Sequence, residues 1–462
     1  MRMRKRSAGF KLFLAGFVGL LLVIPLLLIY GLVSDRQHQA RIAQDTITAG
    51  SGGPQILSGP VLVVPYEVDK TISETVDGKV TRRTSTERGE FYLSPAEHTV
   101  DTALEPERKK KAQYETVLYL AQVEGRARFV MPDDLARFGI NPDRLLLDET
   151  QVRFGTSDPR GLRAAADVRV DGAPLDLEPG EGVRASGGSG FHGEIDWSEG
   201  EALAIDYSYA IRGSRKLTLI PRGGQTDLTV TSPWKHPGFS GSFLPDTSDI
   251  GDDGFTAKWS VGNLALGQPM VMSQDLTQPS DFEGRAYEAM VDERSSEAGE
   301  ARTAVISLIE PADIYAQVDR SVKYGFLFIG FTFVAFFLFD VVGGARVAAA
   351  EYLLTGAGLV LFFVLLLAFA EWTGFALAYV IASAAIISLL TAYSAAVLGG
   401  WRRASFVGAM LVALYGVLYV LLSLEAAALI VGSLLMFAAL AGVMYATRNV
   451  DWSAVGGDED YE

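Results

Sequence analysis

The stretch Leu12 to Val33, LFLAGFVGLLLVIPLLLIYGLV, runs for 22 residues without a charge and follows Arg2, Arg4, Lys5, Arg6 and Lys11. A bilayer core about 30 Å thick takes roughly 20 apolar helical residues to cross, because an unpaired backbone amide is too costly in hydrocarbon. The stretch meets that length. A cleavable signal peptide also starts with basic residues, but its apolar core is about 7 to 15 residues with a small-x-small exit. Here the chain leaves through Leu32-Val33-Ser34-Asp35, so the segment reads as a retained anchor. Pro25 is tolerable inside a membrane helix.

Five further apolar runs crowd into the C-terminal part: Tyr324 to Ala345, interrupted only by Asp340; Tyr352 to Ala370; the longer Trp372 to Trp401; Ala404 to Leu424; and Ala426 to Thr447. Six spans are expected. Lys and Arg concentrate on cytoplasmic flanks, so the basic N-terminus stays inside. Six crossings then put Arg346, Arg402, Arg403 and Arg448 on that same side. The turns at Glu371 and Glu425, which carry no Lys or Arg, fall outside. Both termini therefore read as cytoplasmic in a multi-pass protein whose first partner is the lipid bilayer.

The 290 residues from Ser34 to Lys323 hold 31 Lys and Arg against 46 Asp and Glu, a balance of −15 that equals the charge of the whole chain. An acidic body of that kind excludes nucleic acid as a partner and disfavours adhesion to anionic lipid, since phosphate contacts need clustered Lys and Arg. The chain has no cysteine. A disulfide framework, thiol catalysis, iron–sulfur clusters and Cys-ligated zinc are all excluded with it.

The insert reads mainly as strands. Val61-Leu62-Val63-Val64, Val117-Leu118-Tyr119-Leu120, Val168-Arg169-Val170, Ala204 to Tyr209, Lys216 to Ile220 and Asp227 to Val230 are short apolar or alternating runs set between Gly, Pro and Asp. Their spacing predicts an antiparallel, sandwich-like arrangement. Short helices are expected at Pro132 to Arg137 and near Gln39 to Thr48. Leu177 to Glu201, Asp275 to Glu300 and the acidic tail from Val450 read as connections, the first a linker between two lobes and the last disordered.

Chemistry is sparse. Asp340, Glu351, Glu371 and Glu425 lie at span ends, where interfacial anchoring accounts for them better than ion conduction. His38, His98, His192 and His236 show no close ligand spacing, and neither a G-x-S-x-G elbow nor a phosphate loop is present. Asp246, Asp249, Asp252 and Asp253 could offer oxygen ligands to a cation, but their order departs from an EF-hand and a solvated turn is the plainer reading. Lys109-Lys110-Lys111 reads as a solvated face. Ser388, Ala392 and Ala396, like Ala438 and Gly442, repeat every fourth residue and suit close helix packing. No cofactor is called for, and no enzyme activity is expected.

From Ser232 the chain reads Ser-Pro-Trp-Lys-His-Pro-Gly-Phe-Ser-Gly-Ser-Phe-Leu-Pro245, then Gly254-Phe255-Thr256-Ala257-Lys258-Trp259. This resembles the SPWxHPxFxGxFLP block of the CreD family of bacterial inner-membrane proteins. The likeness extends to Gly59 to Tyr66, Lys323 to Gly330, Phe375 to Tyr379 and Asp451-Trp452, which is nearly the whole chain. The resemblance implies one N-terminal membrane helix, a large periplasmic domain and a C-terminal helical bundle in the inner membrane of a Gram-negative bacterium. It also implies a role in envelope integrity or stress response, associated with a two-component system, colicin tolerance and altered β-lactam response, and it brings no catalytic residues. The expected layout is a basic N-terminus and anchor at 1–33, a β-rich periplasmic domain at 34–323, a five-helix bundle at 324–448 and a cytoplasmic tail at 449–462. The candidate interaction or structural block is Trp234, His236, Pro237, Phe239, Phe243, Leu244 and Pro245. Aromatics this dense near turns favour packing onto the sheets over an exposed docking site. The function expected is presentation of that domain to unidentified envelope proteins or periplasmic components, with a transporter or channel as the competing class.

Overall fold

A computed structural model describes residues 8–423 except 49, 51, 77–78, 112–113, 164–165, 199–201, 280–300, 309–313 and 342–347, and beyond 423 only scattered positions from 430 to 448. The acidic tail, most of the stretch 275–300 and most of the sixth expected span therefore fall outside the described residues. The chain divides into two compact units, Met1–Arg41 with Ala312–Glu462, and Ile42–Pro311.

The helical unit begins with α1 (Ala8–Leu21) and α2 (Val23–Thr48), and continues with α3 (Ile314–Lys323), α4 (Gly325–Val341), α5 (Ala349–Thr373), α6 (Phe375–Val397) and α7 (Trp401–Ser423). Among the described residues four helical segments are long and apolar enough to cross a membrane: Gly16–Thr48, Ala349–Thr373, Phe375–Val397 and Trp401–Leu422. This count differs from the expected six. The described part of α4 has 17 residues, about 25 Å of rise against a core of about 30 Å. The run Trp372 to Trp401 takes in the last two residues of α5, the whole of α6 and the first residue of α7, with Gly374 at φ 80° separating α5 from α6. Val18, Leu22, Phe336, Phe362, Ile386 and Leu411 share one buried cluster.

The expected small-residue seam of α6 is misplaced. Ser388, Ala392 and Ala396 lie on its exposed face, whereas Ala378, Ala382, Ile386, Leu390 and Ser394 are buried. Both stripes have the same four-residue period, and periodicity alone does not choose between faces that are apolar all round. The close approach comes instead from α7, where a Cβ on Gly408 would stand 2.7 Å from Thr391 Oγ1. Tyr379 also donates its hydroxyl to the Tyr415 carbonyl at 2.6 Å, joining α6 to α7.

The second unit is β-rich. Its strands are β1 (Gln55–Val76), β2 (Lys79–Leu93), β3 (Glu97–Lys111), β4 (Tyr114–Phe129), β5 (Thr150–Thr156), β6 (Asp167–Val170), β7 (Ala173–Pro174), β8 (Glu178–Pro179), β9 (Gly190–Ile195), β10 (Leu203–Ser214), β11 (Lys216–Ile220), β12 (Gln225–Ser232), β13 (Pro237–Gly241), β14 (Thr247–Gly251), β15 (Gly254–Gly262), β16 (Val271–Met272) and β17 (Ala304–Leu308). Each strand run read from the sequence falls inside one of them. The Pro132 region forms a short 3₁₀ helix at Leu135–Phe138, and Gln39 to Thr48 is the end of α2.

Nine strands make one sheet, in the order β13-β17-β11-β1-β5-β9-β8, with β2 added against β1 and β16 against β2. Eight make the other, β14-β15-β12-β3-β4-β10-β6-β7. Alternation explains which faces turn inward: on β10, Leu203, Ile205, Tyr207, Tyr209 and Ile211 are buried while Ala204, Asp206 and Ser208 are not. Leu62, Phe91 and Phe154 of the first sheet and Val123, Ile205 and Trp259 of the second belong to one core cluster. Two pairs depart from an all-antiparallel arrangement, since β1–β11 and β3–β12 run parallel. Each joins strands more than a hundred residues apart in the chain, so no hairpin forces them antiparallel. The Gly- and Glu-rich stretch 177–201 carries β8 and β9 of the larger sheet. Its glycines serve close contact there: a Cβ on Gly190, at φ 157°, would collide with the Phe154 carbonyl.

Candidate functional site

The block from Ser232 to Pro245 is one of the segments that pass between the two sheets. It leaves β12 in the eight-stranded sheet, forms β13 at the edge of the nine-stranded sheet, and returns as β14 at the edge of the eight-stranded one. Pro233, Pro237 and Pro245 suit this path, because proline punctuates a ladder and is tolerated at edges. β13 pairs along β17 from Pro237 opposite Leu308 to Gly241 opposite Ala304. The Phe243 amide then donates to the Thr303 carbonyl at 3.0 Å, and Asp246 N to the Lys258 carbonyl at 2.8 Å, which stitches the return.

The aromatics hold this crossing. Trp234 is 8% exposed, donates its indole N–H to the His236 carbonyl at 3.1 Å, and lies under the Arg108 guanidinium, 5.3 Å from ring centre. Phe239 meets Phe255 and Trp259 edge-on at 5.7 and 5.8 Å, an arrangement in which positive ring edges face negative ring faces. Trp259 donates its indole N–H to the Phe243 carbonyl at 3.2 Å. Phe239 and Phe243 pack against the main core as partly buried members. Of the remaining block residues, Pro237 and Pro245 are half-buried, His236 is exposed, and Leu244 is 64% exposed. The block thus has a buried side, Trp234, Phe239 and Phe243, and an exposed rim, Lys235, His236 and Leu244.

The four aspartates that follow do not converge. Asp246 Oδ2 accepts the Ser260 amide at 2.7 Å, and Asp252 pairs with Lys235 at 3.4 Å. Among the described residues no three His, Asp or Glu side chains are grouped as a metal site. The four histidines are likewise apart. His38 is exposed on α2, His236 lies in the block, and His192 is buried with Nδ1 3.3 Å from the Gly180 carbonyl. His98 is buried with Nε2 2.8 Å from the Tyr207 hydroxyl, and burial pulls its pKa down to about 4.

Two features escape a reading of the sequence. Arg222, 1% exposed, forms an ion pair with Asp275, 4% exposed, and Asp275 also accepts the Arg184 and Leu276 amides. A buried pair of this kind is costly to break, because removing one partner strands the other charge. The second feature is an open groove of about 660 Å³ on the outer face of the eight-stranded sheet, where Arg126 and Asp206 pair at 2.5 Å beside Asp101, Glu124, Asp167 and Arg169. No short motif marks either, since the partners are spread over several strands and loops far apart in the chain.

The family model described as "Inner membrane protein CreD" matches residues 7–453. The Inner membrane protein CreD of Escherichia coli (strain K12) is 32% identical over 441 residues, covering 94% of this chain and 91% of that protein.

Proposed function

The chain belongs to the CreD family of inner membrane proteins, and from that premise we propose that it is a non-enzymatic protein of the cell envelope which presents residues 34–323 to the periplasm as an interaction domain. In this reading the bundle anchors and orients, the β-rich body meets envelope proteins or periplasmic components, and the outcome is support of envelope integrity or stress response. Six crossings with both termini cytoplasmic complete the topology, and they follow from the Lys and Arg flanks.

The observation that carries the proposal is the separate core of Ile42–Pro311, a β-rich body whose sequence lies between the segments of the helical unit. Polar depth in the bundle argues against the competing transport reading. In the described spans Ala349–Thr373, Phe375–Val397 and Trp401–Leu422, the charged residues Glu351, Glu371, Arg402 and Arg403 all stand within a turn of an end. Ion and proton pathways keep such groups near the bilayer middle.

Photo-crosslinking amino acids placed at Lys235, His236 and Leu244 in native membranes test the interaction role. The expected result is a discrete adduct with an envelope component from these positions and none from the buried Trp259. Failure at all three, with the same positions open to a soluble label, would contradict the proposal.

A further inference from the structure

Within the helical unit, α1 and α2 on one side and α4 on the other leave a groove of about 410 Å³. One wall is Gly16, Gly19, Val23 and Leu26; the other is six residues of α4 from Phe326 to Phe337. None carries a charge. Among the described residues a Cβ on Gly16 or on Gly330 would meet nothing within 4 Å. These two glycines are therefore not needed for helix contact among the described residues. They leave space.

The groove lies along a segment apolar enough to cross a membrane. From Gly16 to Leu26 the helical rise is about 15 Å, half of a hydrocarbon core of about 30 Å. The groove is thus one leaflet long. Its apolar lining gives water no partners, and an empty slot forfeits the dispersion contacts that hold membrane helices together, where no hydrophobic force replaces them. A helix about 10 Å across and 15 Å long occupies on the order of 1,000 Å³, too much for this volume. A single hydrocarbon chain fits both its length and its volume. Lys11 lies in α1, five positions before Gly16, or about 7.5 Å farther along the axis, at the depth where a lipid phosphate stands when its tail fills the groove.

We propose that the groove between α1–α2 and α4 holds one acyl chain of a membrane phospholipid from the leaflet on the side of the N-terminus. The test uses the full chain in vesicles containing phosphatidylglycerol with a diazirine midway along one acyl chain, followed by peptide mapping of the photo-adducts. Adducts are expected to concentrate on residues 16–26 and 326–337. They should fall at least five-fold in Gly16→Leu and Gly330→Leu, and stay unchanged in Gly416→Leu, whose glycine is exposed on α7 and does not line the groove. Adducts spread evenly over all the helices of the unmodified protein would overturn the proposal, even if the leucine variants fail to fold. So would leucine variants that label like the parent, or crosslinks that join two copies of the chain through these peptides.

Discussion

Trp234 stands where the chain leaves one sheet for the other, with its ring nearly buried and its N–H satisfied by the His236 carbonyl. Truncating such a ring removes its burial and leaves a cavity, a change that costs about 3–5 kcal/mol in well-packed cores. Trp234→Ala is accordingly expected to lower the unfolding free energy of the β-rich domain by that amount in urea titrations. An unchanged midpoint would mean that the ring is a surface anchor. The aromatic density of this block was legible in the sequence. Its partners were not: Arg108 precedes Trp234 by more than a hundred positions and Thr303 follows Phe243 by sixty, and no local pattern links such residues. The same holds for Arg222 and Asp275, whose burial depends on loops that meet only in the folded domain.

At the scale of elements, the turn from β14 to β15 closes the crossing. Gly254 sits at φ 124°, and a Cβ there would collide with the Ser232 carbonyl and approach Pro233 Cα to 2.6 Å. Gly251, three residues earlier, has open space around it. Gly254→Ala is therefore expected to destabilise the domain by at least about 1–3 kcal/mol, the cost of a strained backbone residue, whereas Gly251→Ala stays within about 0.5 kcal/mol. Equal melting curves for the two would show that the turn does not constrain the crossing. Strands were readable because alternation and turn residues are local signals. Direction and pairing partner were not, as the parallel β1–β11 and β3–β12 pairs show. The stretch 177–201 was misread from composition because its glycines are there for close backbone contact, and glycine content alone does not separate that use from a flexible linker. In the bundle α5, α6 and α7 were readable by length and apolarity, while the buried stripe of α6 was not, because its faces differ little in polarity.

For the whole molecule, charge made the division visible. The entire net charge of −15 lies between Ser34 and Lys323, and the spans around it are nearly free of Asp, Glu, Lys and Arg. The central claim is that this acidic, β-rich body is held on the opposite side of the membrane from both termini, where it can meet the envelope. Reporter fusions at Gly193, Ala348 and Arg403 test it most directly, with a phosphatase active only after export and a fluorescent protein active only inside. The account predicts phosphatase activity at Gly193 and fluorescence at Ala348 and Arg403; fluorescence at Gly193 would contradict it.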